Sequence, residues 1–536
     1  MSAPHPVVVR RLLHVAGGAL VWLVVAAGVA LLLFLNTSRS TVLASHDAVV
    51  RPTLDGRATI HLGPFLPDLR DSTGSRVGAD ITLGKTEASS LQELVQRYGF
   101  IASDPEPQLA KARSAITDVA WQSVGLGAVA GLVPLGLWLL LGRRRRAEVV
   151  RHLPTPRGAV LVVGTLVVVV AAGVLVREPW RADAPTVGGG QTWRPLAALA
   201  PGVDLPSETR GIEVRMDLAT AGTKQLIASA LDTYDRSKRF YADAREAAED
   251  LDGLHEPAED QSVVLEVSDR HDNVGMDAVA RAVADRGGAS DVIDAGDDTS
   301  TGSQWEAFSL DSLDRAFDTP DGIEHRWSIA GNHDHGDFVT SYLADLGWTH
   351  LDGKVVDGPA GTPMYGIDDP RSSGLGPSRE AVGISFDEQR EQIADEVCRA
   401  DEEGERVRTL VVHDANSGEE ALARGCVDLV LAGHLHVQVG PTRVVGSNGS
   451  VGYSYTNGTT GGAAYAIAVG SKLRREAGMT LVTYDDERPV GVQPVALRTD
   501  GVFVVGDYTA LDYSAGADEP AAGASTSPSP SSSPSS

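Results

Sequence analysis

Five short polar clusters carry the chemistry of this 536-residue chain. They read "SDRH" (268–271), "GDD" (296–298), "GNHDH" (331–335), "VVHD" (411–414) and "GHLH" (433–436). The longer stretch "SIAGNHDHGDF" around the third cluster is too polar to fill a core. It is also too rich in metal-ligand side chains for a plain turn. Across the clusters, Asp269, His271, Asp297, Asn332, His413, His434 and His436 offer oxygen and imidazole nitrogen but no sulfur. That donor set suits divalent Mn, Fe or Zn rather than a soft thiolate site. The 2 cysteines, Cys398 and Cys426, form no C-x-x-C, which also argues against a thiolate zinc or redox motif. Seven ligand side chains are too many for one ion, unless one carboxylate bridges two. Taken singly, each is equally well a turn aspartate, a capping asparagine or a core histidine; their joint occurrence is what points to a site.

Each cluster follows an apolar run, where a strand should end and a loop begin. From residue 261 strand-like and helix-like runs alternate: "SVVLEVSD", "MDAVARAVADRG", "DVIDAGDD", "EHRWSIAGNHD", a helical stretch around 387–400, "RVRTLVVHD" and "VDLVLAGHLH". This rhythm implies an α/β domain, and open α/β sheets bind ligands outside the carboxyl ends of their strands. Five such ends can converge on one point. After Val437 the pattern turns β-like up to residue 514. The Ser/Pro-rich tail 515–536 is low in complexity and reads as a disordered spacer.

Three apolar runs, 12–35, 121–141 and 158–176, precede the α/β region. Each is long enough for a hydrocarbon core of about 30 Å at about 1.5 Å per helical residue. The first run exceeds the usual apolar segment of a cleaved signal peptide, although "VLA" before Ser45 resembles a cleavage site, so an uncleaved anchor is preferred. Arg10 and Arg11 precede the first run, and "GRRRRAEVVRHLPTPRG" joins the second and third. Positive short loops stay cytoplasmic. The N-terminus (1–35, including the first span) then starts inside, 36–120 forms a small β-rich outer module, 142–157 is a basic cytoplasmic loop, and everything after Arg177 faces outward. The arginine run 143–146 could also meet anionic lipid head groups. Residues 177–260 read as a linker and helical lead-in, with helical periodicity over 223–251. The α/β domain then spans 261–514, outside the cytoplasmic membrane.

The net charge of −26 argues against a nucleic-acid backbone binder, because no broad basic surface is available. In an exported domain Cys398 and Cys426 either pair as a disulfide or remain two buried thiols.

The ordered set D-x-H, G-D, G-N-H-D, H and G-H-x-H resembles the calcineurin-like metallophosphoesterase family, over residues 262–507. The resemblance implies an α/β/β/α sandwich and two divalent ions. One ion would be held by Asp269, His271, Asp297 and His436, and the other by a bridging Asp297 with Asn332, His413 and His434. It implies hydrolysis of phosphate mono- or diesters by a hydroxide shared between the ions, which attacks phosphorus in line with the leaving oxygen. His333 would touch substrate and stabilise the transition state or protonate the leaving group, and Asp334 would orient it. Asn332 would sit at both metal and substrate. Arg371, in "YGIDDPR", is a further substrate-binding expectation, while Asp298 and His335 are expected outside the ligand shell. "TSTG" after "GDD", and "HDA" in place of the frequent His-Pro, depart from the family pattern and leave the substrate open. The rival reading is a non-catalytic envelope sensor or scaffold on the same fold.

Overall fold

A computed structural model describes residues 6–62, 68–85, 106–142, 144–146, 193–195, 211–215, 236–318, 323–373, 383–463, 473–485 and 487–514. The third apolar run (158–176), most of the basic loop, most of the linker and the tail lie outside the described residues.

Two helices, α1 (Pro6–Asn36) and α2 (Glu106–Leu140), are long and apolar enough to cross a membrane. They pack through small residues. A Cβ on Gly127 would lie 2.5 Å from the Ala26 carbonyl, and one on Gly131 would lie 2.8 Å from the Trp22 ring. Trp22 Nε1 donates to the Ala128 carbonyl at 3.0 Å. Outward faces remain apolar and exposed, as at Val15, Leu23, Trp121 and Leu140. Small interfacial residues under an apolar outer surface suit helices paired in lipid.

A seven-stranded sheet follows, built from β1 (Arg39–Leu43), β2 (His46–Thr53), β3 (Arg57–His61), β4 (Leu69–Ser72), β5 (Gly78–Leu83), β6 (Trp193–Pro195) and β7 (Glu213–Arg215). Its order is β1-β2-β5-β3-β4-β7-β6, so two strands from the stretch read as a linker complete it. Alternate residues Ala48 and Val50 of β2 join Ile81 and Leu83 in a core that Ala112 and Ala115 of α2 close. The period-2 pattern here places one sheet face on the helix.

The remaining chain forms two stacked sheets. The first contains β8 (Ser262–Val267), β9 (Ala289–Asp294), β10 (His325–Ser328), β11 (Thr349–His350), β18 (Ala477–Tyr484), β19 (Pro489–Leu497), β20 (Phe503–Val505) and β21 (Thr509–Ala510). The second contains β12 (Val355–Asp357), β13 (Pro363–Ile367), β14 (Val407–Val412), β15 (Val427–Ala432), β16 (Val439–Val445) and β17 (Val451–Thr456). Strands β8 to β11 run parallel, and so do β13, β14, β15 and β17. Val264 and Val482 of the first sheet meet Leu429, Leu431 and Tyr455 of the second between them. On the outer face of the first, Val263, Leu265 and Val267 pack under α3 (236–249), α4 (Asp277–Gly287), α5 (Ala307–Phe317) and α6 (Phe338–Asp345). On the outer face of the second, Leu410 and Val430 pack under α7 (Phe386–Glu403) and α8 (Glu419–Arg424). The result is a mixed α/β body with helices outside both sheets. Ser385 starts α7 with a reciprocal cap: its hydroxyl accepts from Glu388 N–H at 3.2 Å, and Glu388 accepts from Ser385 N–H at 2.9 Å.

Cys398 and Cys426 form a disulfide between α7 and the start of β15. The α/β body also touches α2 and the turn between β1 and β2. Lys111 Nζ lies 2.7 Å from Asp311 Oδ2, and the Ser45 hydroxyl donates to the Trp305 carbonyl at 2.9 Å. These contacts fall at the end of α2 opposite Arg144–Arg146.

Candidate metal centre

All five clusters leave carboxyl ends of parallel strands: β8, β9 and β10 in one sheet, β14 and β15 in the other. The loops continue the strand pairing. Asp269 N–H donates to the Gly296 carbonyl at 2.8 Å, His271 N–H to Asp297 at 3.0 Å, and Gly433 N–H to His413 at 2.9 Å. Two glycines permit the approach. A Cβ on Gly331 would lie 2.2 Å from Asp297 Oδ1, and one on Gly433 would lie 2.4 Å from Asp269 Oδ2.

The backbone is strained at this place. Asp269, His271, Asp297, His434 and His436 all have positive φ, between 45° and 70°. Asp272, Ala360 and the pair Ala44 and Ser45 are the other described non-glycine residues with that feature. Left-handed conformations cost a side chain of order 1–3 kcal/mol each and gather where function requires them. Here they turn alternate side chains of two loops inward.

Two groups of ligand atoms result, each within 4.8 Å: Asp269, His271 and His436, and Asp269, Asp297 and His413. His271 Nε2 and His436 Nε2 are 3.0 Å apart, His436 Nε2 is 3.2 Å from Asp269 Oδ1, and His413 Nε2 is 3.2 Å from Asp297 Oδ2. Asp297 Oδ2 also lies 3.8 Å from His271 Nε2. Ligand atoms about 2.1 Å from an ion are about 3.0 Å apart at right angles and about 3.4 Å apart at tetrahedral angles. The spacing therefore matches edges of coordination polyhedra. Asp269 is common to both groups, while Asp297 Oδ2 is the atom that reaches towards both His413 and His271.

The rings are held from behind. His413 Nδ1 pairs with the Ala295 carbonyl at 2.8 Å and His436 Nδ1 with the Ala463 carbonyl at 3.2 Å. Those bonds fix the tautomer that presents Nε2 inward. Asn332 Oδ1 and His413 Nε2 are buried with no hydrogen bond. Orphaned buried acceptors are rare and call for a partner; a divalent cation fits this oxygen and imidazole set. His434 belongs to neither group. Its ring stands 5.2 Å from that of His413, half-buried, and its Nε2 is 3.8 Å from Asp414 Oδ2.

Electrostatics favour a cation. Burial pushes the Asp297 carboxyl up, but His413, with His271 and His333, outweighs it and holds the group well below the usual carboxylate range. Asp269 is lowered in the same way: burial opposes, and His436 and His413 prevail. Burial pushes His271 down to about 4, leaving it the neutral ligand form. For His413 burial also lowers, yet facing Asp297 raises it above its ordinary value.

His333 lies at the rim. Its N–H donates to Asp297 Oδ1 at 2.7 Å, its Nδ1 pairs with the Ser300 carbonyl at 3.1 Å, and its ring stands edge-on to His271 at 5.1 Å. Asp334 does not orient that ring. Its carboxylate instead accepts from Asp298 N–H (3.0 Å), Gly331 N–H (3.1 Å), Thr299 N–H (2.9 Å) and the Thr299 hydroxyl (2.7 Å). It clasps the second cluster's loop to the third. Arg371 is committed to Asp369 Oδ2 (2.6 Å) and Asp414 Oδ2 (2.9 Å) and stacks over Phe386 at 4.3 Å. It reaches the centre only through Asp414. Asp298 turns away from the ligand groups to bind Arg270 at 2.8 Å. The backbone of His335 packs against Gly302.

Sequence reasoning missed three supports. Arg270 sits fully buried between two ligand residues and bridges Asp277 and Asp298. The only signal was an arginine amid metal ligands. The Thr459 hydroxyl donates to the Asp269 carbonyl at 2.7 Å, and Ala463 holds His436. Their sign was the Gly/Thr run "TNGTTGG" directly after a β-like segment.

No protein-family model matches the chain, and no curated protein does. Among solved structures, TT1561 of Thermus thermophilus is similar at 11% sequence identity and a TM-score of 0.29, over 42% of this chain and 99% of that one. A likeness of that size names no family.

Proposed function

We propose that the chain is a membrane-anchored phosphoesterase of the calcineurin-like kind, with a dinuclear metal centre that hydrolyses phosphate mono- or diesters. One observation carries this reading: two ligand groups sharing Asp269 lie at the carboxyl ends of four parallel strands, β8, β9, β14 and β15. Bound divalent cations would supply Lewis acidity toward a phosphoryl oxygen and lower the pKa of water toward neutrality. Asp269, His271, Asp297 and His436 are assigned to one ion, and Asp297, Asn332, His413 and His434 to the other. His434 is assigned there by the resemblance, its half-buried ring standing 5.2 Å from that of His413. His333, with Nδ1 donating to the Ser300 carbonyl, keeps Nε2 for the substrate; as the imidazolium, with both ring nitrogens protonated, it would donate from Nε2 a hydrogen bond to a phosphoryl oxygen or a proton to the leaving group.

The α/β body is assigned to the outer side of the membrane. Its contacts through Lys111 and Ser45 lie at the helix end away from the arginines, and positive loops stay inside. A reporter fused after Ser514 should be active only outside the cell.

The test is metal content and turnover of the full chain in detergent, with Mn, on bis-(p-nitrophenyl) phosphate and p-nitrophenyl phosphate. Turnover that disappears in Asp297→Ala supports the proposal. Two bound ions with no turnover on either ester would favour the binding-module reading, and a folded chain that takes up no metal would overturn the centre itself.

A further inference from the structure

The six exposed large apolar side chains among the described residues of 251–514 are not scattered. Four of them, Leu435, Val437, Val439 and Val445, fall in one run that begins between two assigned metal ligands. The run alternates. His434 and His436 are 30% and 14% exposed and face the site, while Leu435 and Val437 are 53% and 50% exposed and face solvent. Val439 continues the outward series into β16, an edge strand whose sole partner is β17. Single exposed aliphatics are ordinary, but a row of them at the mouth of a polar site marks a binding surface.

What this row can recognise is restricted by its chemistry. Leu435, Val437 and Val439 themselves offer no donor or acceptor beyond backbone, and the exposed amide between them, Gln438, donates its Nε2 to the Gly440 carbonyl at 3.1 Å. Of the nearby cations, Arg371 is committed to Asp369 and Asp414, and Arg443 of β16 donates to the Ser514 carbonyl at 2.9 Å. The same chain carries two helices apolar enough to cross a bilayer, and the α/β body touches one of them through Lys111. On a chain tethered to a bilayer, a polar site flanked by aliphatic side chains matches a substrate that is polar at one end and aliphatic at the other.

We propose that the substrate is an amphiphilic phosphate ester drawn from the membrane, whose phosphate enters the metal centre while its aliphatic part lies on Leu435, Val437 and Val439. This rests on the phosphoesterase reading above and narrows it to a substrate class. Burying aliphatic side chains against a chain of methylenes gains enough to change kcat/KM by roughly ten-fold or more.

The experiment uses the Mn-loaded full chain in detergent micelles, with ethyl and dodecyl phosphate as a monoester pair. Ethyl and dodecyl p-nitrophenyl phosphate form the diester pair. The dodecyl-to-ethyl ratio of kcat/KM should be at least roughly ten in one pair. Leu435→Ser and the double variant Val437→Ser/Val439→Ser should each bring that ratio towards one. The double variant leaves residues 434–436 intact, so it keeps the test readable if Leu435→Ser disturbs the histidines. Hydrolysis of ethyl esters with no chain-length preference overturns the amphiphile inference and leaves the phosphoesterase reading standing. So does a preference that survives both variants. Dimers of the full chain that the double variant dissociates would also overturn it, by assigning the face to a second copy. No hydrolysis of any of the four esters overturns both readings.

Discussion

Arg270→Met should destabilise the α/β body severely at pH 7 and mildly at pH 5. The wild-type guanidinium is buried. It binds Asp277 Oδ1 through Nε (3.0 Å) and Nη2 (2.7 Å), Asp298 Oδ1 through Nη1 (2.8 Å), and the Ser309 carbonyl at 3.3 Å. Methionine fills much of the space but leaves two buried carboxylates without a cation. Each can then take up a proton, which at pH 7 costs an ordinary aspartate about 4 kcal/mol, from about 1.4 kcal/mol per unit over about 3 units. Burial has already pushed Asp277 up to about 6, so about 1 kcal/mol of its share remains to be lost. The two together come to about 5 kcal/mol, at the upper end of the 3–5 kcal/mol range typical for a broken buried pair.

The sign with pH follows from linkage. A carboxyl whose folded pKa is raised above its unfolded value destabilises most at high pH, and the penalty fades as pH falls towards the unfolded pKa. At pH 5 the deficit should therefore shrink to about 1–2 kcal/mol. Thermal unfolding of the full chain in detergent, followed by tryptophan fluorescence, reads this directly through Trp327 and Trp348, both buried in the α/β body. The apparent Tm should drop by roughly 10–20 °C at pH 7 and by only a few degrees at pH 5, at about 2–4 °C per kcal/mol. A variant that melts within about 3 °C of wild type at pH 7, or with equal deficits at both pH values, would refute the reasoning.

Three further outcomes follow from the geometry. Asp297→Asn should abolish stoichiometric metal uptake by mass spectrometry, whereas Asp334→Asn, which only loosens the clasp between two loops, should weaken affinity by roughly 10–100-fold; equal effects would contradict the separate roles. Replacing Cys398 and Cys426 by serine opens a loop of 28 residues and should cost about 3–4 kcal/mol, read as a Tm loss that reducing agent reproduces in wild type. In the seven-stranded sheet, hydrogen bonds from His61 to Asp68 and Asp80 raise its pKa from about 6.5 to about 9. That contribution is full below about pH 6.5 and lost as pH rises through 9. The stability gap between wild type and His61→Gln should therefore close between pH 6.5 and pH 9.5, and a gap that stays open would count against it.

The candidate ligand residues were legible because metal chemistry admits few residue types and because each sits one to four residues past a strand. What holds them was not legible, because it comes from far along the chain. Thr459 supports Asp269 across a separation of 190 residues, Gly461 accepts from Asn273 across 188, and Ala295 fixes the His413 tautomer across 118. No local pattern encodes such pairs. Arg270 was passed over because an isolated arginine is normally a solvated one; only the fold places Asp277 and Asp298 on either side of it. The two apolar helices α1 and α2 were plain from run length alone, while β6 and β7, three residues each, carried no pattern that could place them in the first sheet.

Asp334 shows how adjacency misleads. Standing beside His333 in "GNHD", it reads as the carboxylate that orients the imidazole. Consecutive side chains in a tight loop point apart, however, and Gly331 brings the backbone so close to Asp297 that nothing but a turn fits between them. The Asp334 carboxylate is therefore delivered to the N–H groups of Gly331, Asp298 and Thr299, and the Ser300 carbonyl takes the His333 ring in its place. Both the His333 position and the Asp297 carboxylate then depend on one stretch, 297–300. The same stretch leads to Trp305, where the Ser45 hydroxyl of the first sheet docks. Geometry at the candidate metal centre is thus tied, through a single loop, to the part of the chain that leaves the first apolar helix.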